Sequence, residues 1–236
     1  MKNNKIIEFS FQERLCEACL SNQLEEIFIF DHVVRTINHK YYFRNRNVIC
    51  KNCGFVFVSP CPSQKDLTMY YEDTLSKFSY QPPTYNVDKR FNVLIKYGRK
   101  DNSVLEIGGN IIGEFSSKCS QFFSEASMVE LNNECSSQYQ TLSRVPSQRY
   151  DIIVHYYVLE HATSPQDFIV NCSRILKPDG IMICEVPDLR KYQEIAAELI
   201  WFEHMNHFTP DKLCSIAARN GFNLVSLSQE GLSDSH

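Results

Sequence analysis

Five short apolar runs recur through the last two thirds of the chain, and segments with helical patterning separate them. They read SVLEIGG (103–109), SMVELN (127–132), the start of YDIIVHYYVLEH (150–161), GIMICEVP (180–187) and NLVSLSQ (223–229). Runs of that length with little polar alternation suit parallel strands buried on both faces. PQDFIVNCSRIL and PDKLCSIAARNGF supply helices between them, the second capped by Thr209, with Pro210 in its first turn and Gly221 at its stop. Alternation of this kind predicts an α/β, Rossmann-like doubly wound sheet, in which ligands bind beyond the carboxyl ends of the strands.

The first run ends in EIGGNIIG. Gly108 lets backbone approach a ligand closely, and Gly113 eases the start of the next helix. Asn110 occupies the second glycine position of a dinucleotide fingerprint, and no Lys-Ser/Thr pair follows, which argues against a nucleotide triphosphatase. Glu130 closes the second run, 24 residues after Glu106. A carboxylate there can accept both hydroxyls of a ribose.

The first sixty residues differ in character. CEAC (16–19) and CKNCGF (50–55) form two C-x-x-C pairs among ten cysteines. Cys16, Cys19, Cys50 and Cys53 thus offer the four thiolates that structural zinc prefers, and the remaining cysteines are scattered without evident chemistry. Strand-like EEIFIF, HKYYF and FVFVSP suggest a small β-ribbon clipped by the metal. The sequence divides into a zinc-binding module (1–60), a helix and linker (61–84) and a Rossmann-like domain (85–236).

Together these features resemble the class I S-adenosylmethionine-dependent methyltransferases. The resemblance covers roughly residues 85–230, and its most specific part is LEH…P…L…ILKPDG. The double C-x-x-C, followed by a helix carrying Tyr70 and Tyr71, is similar to the zinc-binding sugar C-methyltransferases. In that family an E-H-x-x-x-F segment follows the fourth strand; this chain has EHMNHF at 203–208, with Trp201 where the family usually has a tyrosine. The resemblance implies S-adenosylmethionine and structural zinc as cofactors, and a small-molecule acceptor such as a nucleotide sugar. It implies His204 as general base, because imidazole titrates near neutral pH. Glu203 would orient that ring or the substrate, and His161 is a second polar contact. Glu106, Gly108, Asn110, Gly113, Glu130, Leu131 and Tyr156 would contact the cofactor, with Tyr71 over its methionine end.

Two other readings stand beside this one: a small-molecule O- or N-methyltransferase, and a noncatalytic zinc ribbon that binds nucleic acid through the basic stretch Arg35–Lys51. A net charge of −4 provides no general basic field for the latter. A metal at Glu203, His204 and His207 lacks an evident geometry. No window reaches about 18 apolar residues and no leader is evident, so the expected location is the cytoplasm, without a membrane. The chain closes a few residues after the fifth run, one strand short of the family's usual sheet, which leaves an oligomer or partner chain open.

Overall fold

The computed structural model describes residues 6–36, 39–75, 87–109, 113–131, 137–192 and 200–229. In chain order its elements are β1 (Ile6–Glu8), β2 (Phe11–Gln12), β3 (Leu24–Arg35), β4 (Lys40–Cys50), β5 (Val56–Val58), β6 (Cys61–Pro62), α1 (Gln64–Leu75) and α2 (Val87–Tyr97). There follow β7 (Ser103–Ile107), α3 (Glu114–Ser120), β8 (Glu125–Val129), β9 (Tyr150–Tyr156), α4 (Pro165–Ile175), β10 (Leu176–Glu185), β11 (Asn206–His207) and α5 (Pro210–Arg219). No helix among the described residues is long and apolar enough to cross a membrane.

The chain forms two compact units. One comprises residues 1–77, 159–167 and 187–224; the other comprises 78–158, 168–186 and 225–236.

In the first unit, β3 and β4 form a long antiparallel hairpin, from the pair Leu24–Cys50 to the pair Arg35–Lys40. The opposite edge of β4 carries β1 in parallel and β5 antiparallel, and β11 adds beyond β5. Alternation along β4 sends Tyr41 and Phe43 to one face, where they pack with Phe9, Leu67, Tyr70 and Met205. Three basic side chains in and just after β4 have acidic partners on β3. Arg44 lies 3.5 Å from Asp31, Arg46 lies 2.9 Å from Glu26, and Lys51 lies 3.4 Å from Glu25. Those pairs offset part of the basic stretch Arg35–Lys51 on which the nucleic-acid reading rests.

The second unit holds a parallel sheet in the order β8-β7-β9-β10. It is a doubly wound α/β arrangement. β7 is buried along its whole length, as its short, mostly apolar run predicts, with Ser103 and Glu106 as its buried polar exceptions. The chain proceeds from β7 to β8 on one side and returns to β9 on the other. The switch point therefore lies between β7 and β9, where the carboxyl ends of such sheets diverge and leave a crevice.

The expected fifth strand is a correction. Residues 222–229 form no strand, and Leu224, Val225 and Leu227 are exposed. Among the described residues no strand ladder forms there, and alternation alone does not make a strand. The strand expected at 180–187 instead starts at Leu176, directly after α4.

Candidate active site

In the second unit the carboxyl ends of β7 and β8 lie level. Ile107 pairs with Val129, and the Gly108 amide donates to the Val129 carbonyl at 3.0 Å. Gly108 has φ +73°, and a Cβ built there would come within 2.4 Å of Val158. The backbone turns sharply at this point only because no side chain is present. Glu130 is the next residue beyond β8, with its amide bonded to the Tyr139 carbonyl at 3.0 Å, and Leu131 follows it half-buried. Gly113, at φ +63°, is the N-cap of α3. Asn110 lies outside the described residues.

Glu106 is buried, and its carboxylate accepts a short hydrogen bond from the Ser116 hydroxyl on α3. Burial raises its pKa, against the hydrogen bonds from Ser116 and the field of Arg90. Tyr156 packs rather than opening outward. The Arg90 guanidinium sits 4.2 Å from its ring centroid, and Phe115 lies edge-on at 5.5 Å. Arg90, itself buried, also pairs with Glu185 at 3.5 Å. No pattern around Arg90 marks it in advance as a buried cation.

The first unit assembles the histidines. His204 closes a turn by donating its amide to the Trp201 carbonyl at 3.0 Å, so Glu203 and His204 leave the backbone in different directions. The Glu203 carboxylate accepts from Tyr70 Oη at 2.8 Å and from Trp201 Nε1 at 2.9 Å. The His204 ring meets His161 edge-on, centroids 4.8 Å apart. Tyr71, expected over the cofactor, lies in this unit, its hydroxyl 3.5 Å from His161 Nδ1. His207 donates from Nε2 to Asn47 at 3.0 Å, deep in the core. Burial and then the Arg14 charge depress its pKa to about 3.

Three residues that the sequence reading missed hold this arrangement. Glu160 is buried on the turn that carries His161. Asn206 donates its side-chain amide to the Ala162 carbonyl at 2.7 Å, and the Met205 amide donates to the Glu160 carbonyl at 2.8 Å. Arg14 donates to the carbonyls of Val58 (2.9 Å), Thr163 (2.8 Å) and Met205 (2.6 Å). Asn206 sits inside EHMNHF and could have been suspected. Arg14, nearly two hundred residues earlier in the chain, could not.

Cys16, Cys19, Cys50 and Cys53 converge, all four sulfurs within 4.8 Å of one another. Cys16 and Cys53 are 3.5 Å apart, and Cys19 and Cys50 are 3.6 Å apart. A tetrahedral site with zinc–sulfur bonds of about 2.3 Å needs sulfur separations of roughly 3.8 Å, so the donor set fits. Gly54, at φ +79°, returns its amide to the Cys50 carbonyl at 2.7 Å. Desolvation opposes ionisation of Cys19, but hydrogen bonds led by Asn52 prevail and bring it down to about 6. A thiol held so low is poised to be a thiolate ligand.

A family model for the methyltransferase domain matches residues 80–227. The chain belongs to the methyltransferase domain family. Among curated relatives, the ubiquinone biosynthesis O-methyltransferase of Roseobacter denitrificans is 26% identical over 90 residues, 33% of this chain and 36% of the relative. The protein of the same name from Rhodopseudomonas palustris is 28% identical over 97 residues, 37% of this chain and 38% of the relative. The chain thus spans little more than a third of the length of these relatives. A solved structure of a SAM-dependent methyltransferase from Archaeoglobus fulgidus superposes with a TM-score of 0.50 at 20% identity, covering 68% of this chain and 75% of that one. That likeness is one of fold.

Proposed function

We propose that this methyltransferase domain takes S-adenosylmethionine as methyl donor and transfers its methyl group to a small-molecule acceptor. The carrying observation is the carboxyl edge of the sheet, where the side-chain-free turn at Gly108 lies level with Glu130. The turn admits the methionine end of the cofactor against bare backbone, and Glu130 accepts the ribose hydroxyls. Glu106, Gly113, Leu131 and the unplaced Asn110 complete the contacts, and Tyr156 backs them from the core. The cofactor supplies an electrophilic methyl on a sulfonium; the protein supplies position and proton removal.

Proton removal falls to His204. Its ring is buried, and His161 and Tyr71 line the same cluster. Glu203, fixed by Tyr70 and Trp201, orients the turn on which His204 stands. The acceptor we infer is a nucleotide-linked sugar, on the strength of EHMNHF and the paired tyrosines of α1. A hydroxylated aromatic is the second reading, favoured by the O-methyltransferase names of the curated relatives. Zinc in the four-cysteine cluster serves the fold, since four thiolates leave it no open position.

Calorimetry with S-adenosylmethionine tests the cofactor site: the chain binds, and Glu130→Ala weakens binding at least tenfold. Release of S-adenosylhomocysteine, followed against nucleotide sugars and hydroxylated aromatics in parallel, identifies the acceptor. Absence of cofactor binding by the intact chain rejects the proposal.

A further inference from the structure

Glu203 is held by Tyr70 and Trp201, and His207 by Asn47. The carboxylate that does face the histidine pair is Glu160. We propose that Glu160, His161 and His204 form a second cation site, separate from the cysteines, that takes a divalent transition metal such as zinc. One carboxylate oxygen and one nitrogen from each ring all lie within 4.8 Å of one another. Glu160 is 1% exposed and His204 is 7% exposed.

The orientation of His161 carries the inference further than proximity. Its Nδ1 lies 3.1 Å from the Glu203 backbone carbonyl. A carbonyl only accepts, so Nδ1 carries the proton in that bond. In the neutral ring, Nε2 then presents a lone pair, and it points at Glu160 Oε1, 3.8 Å away. A cation between that nitrogen and the carboxylate would be held by both. An imidazole fixed through its other nitrogen by a backbone carbonyl is also the usual second sphere of a metal-bound histidine.

The supports are rigid as well. Asn206 and the Met205 amide fasten the Glu160–His161 turn to the segment carrying His204. Two imidazoles and a carboxylate suit zinc, nickel or cobalt better than magnesium or calcium, which prefer all-oxygen shells. Metal–ligand bonds of about 2.0–2.2 Å require donor separations of roughly 3.3–3.6 Å, which small side-chain rotations reach.

The inference deepens the reading of His204 as proton acceptor and rests on it for its consequence. A metal-bound imidazole has no basic nitrogen to offer at neutral pH, so the cation and the acceptor's proton compete for His204. The zinc-loaded site is the arrested form of the enzyme.

The test loads the purified full chain with zinc, removes excess by gel filtration and counts metal per chain by mass spectrometry. Glu160→Gln and His161→Ala each hold one equivalent fewer than the wild type, whatever the cysteines hold. Their affinity for the second zinc falls by more than the roughly 10- to 100-fold that loss of a supporting partner costs. Cobalt alone, added to the wild type, gives nitrogen/oxygen-ligated bands beside the thiolate bands, a readout that needs no variant to fold. Equal metal counts in wild type and both variants, or thiolate bands only, overturn the site. Turnover that persists in His204→Ala, with the extra equivalent lost, instead overturns the base and leaves the site standing.

Discussion

The side-chain amide of Asn206 donates to the backbone carbonyl of Ala162 at 2.7 Å, tying the turn that carries His161 to the strand that follows His204. Its carboxamide oxygen accepts from Arg14 at 3.0 Å. One buried residue thus fixes two histidines that lie 43 positions apart in the chain. Asn206→Ala leaves buried carbonyls without this donor, which costs about 1–3 kcal/mol. Urea unfolding measures that loss, and turnover should fall further than the stability change explains, because His161 and His204 lose their register. Arg14→Lys should show the same pattern more weakly.

Gly108→Ala forces an ordinary residue into a left-handed turn and sets its Cβ against Val158. Backbone strain of this kind costs roughly 1–3 kcal/mol. The expected outcome is lower stability together with weakened S-adenosylmethionine binding, followed by thermal unfolding and calorimetry. Adding Val158→Ala removes the clash but not the positive φ, so the double variant should recover part of the stability.

His155 on β9 is fully buried against Phe168, and desolvation holds its pKa down to about 3. The folded chain therefore keeps this ring neutral while the unfolded chain protonates it near pH 6.5. Stability must fall as pH drops from about 6.5 toward 3, by up to about 1.4 kcal/mol per pH unit for this residue. Denaturant titrations at pH 7 and pH 5 measure the slope. His155→Phe should flatten it by one proton's worth, leaving the similar contribution of His207.

Chelation of zinc should unfold the ribbon first. The four thiolates lie close enough to repel once a bound metal is gone, and Cys50 closes β4 beside β5, so the loss falls on that end of the hairpin. Hydrogen exchange should accelerate in β3, β4 and β5 before it does in β7 and β9. Cys19→Ser should reproduce the effect without chelator.

Much of this fold was legible because strands buried on both faces write themselves as short, mostly apolar runs; β7, β8 and β9 stand close to where their runs predict them. The cysteine cluster was legible because ligand spacing is local. The run at 223–229 misled because its pattern is that of a strand, whereas a strand also needs a neighbour, and sequence does not display neighbours. At the candidate site, EHMNHF marked His204 and Glu203, and VLEH marked His161. The partners of those residues were hidden. Tyr70 reaches Glu203 and Arg14 reaches Met205 only through tertiary packing, and Glu160 reads as a helix-turn acid until its burial is known.

The division of the chain into two units, each stitched from three separated segments, bears on how such a protein can change. The polypeptide passes from one to the other at five places, so a single cut cannot free either of them whole. Expressing residues 1–77 alone would leave the thiolates behind without the histidines, and grafting the ribbon onto another sheet would require several simultaneous crossovers. Any rearrangement that keeps both bodies whole has to carry all five crossings with it.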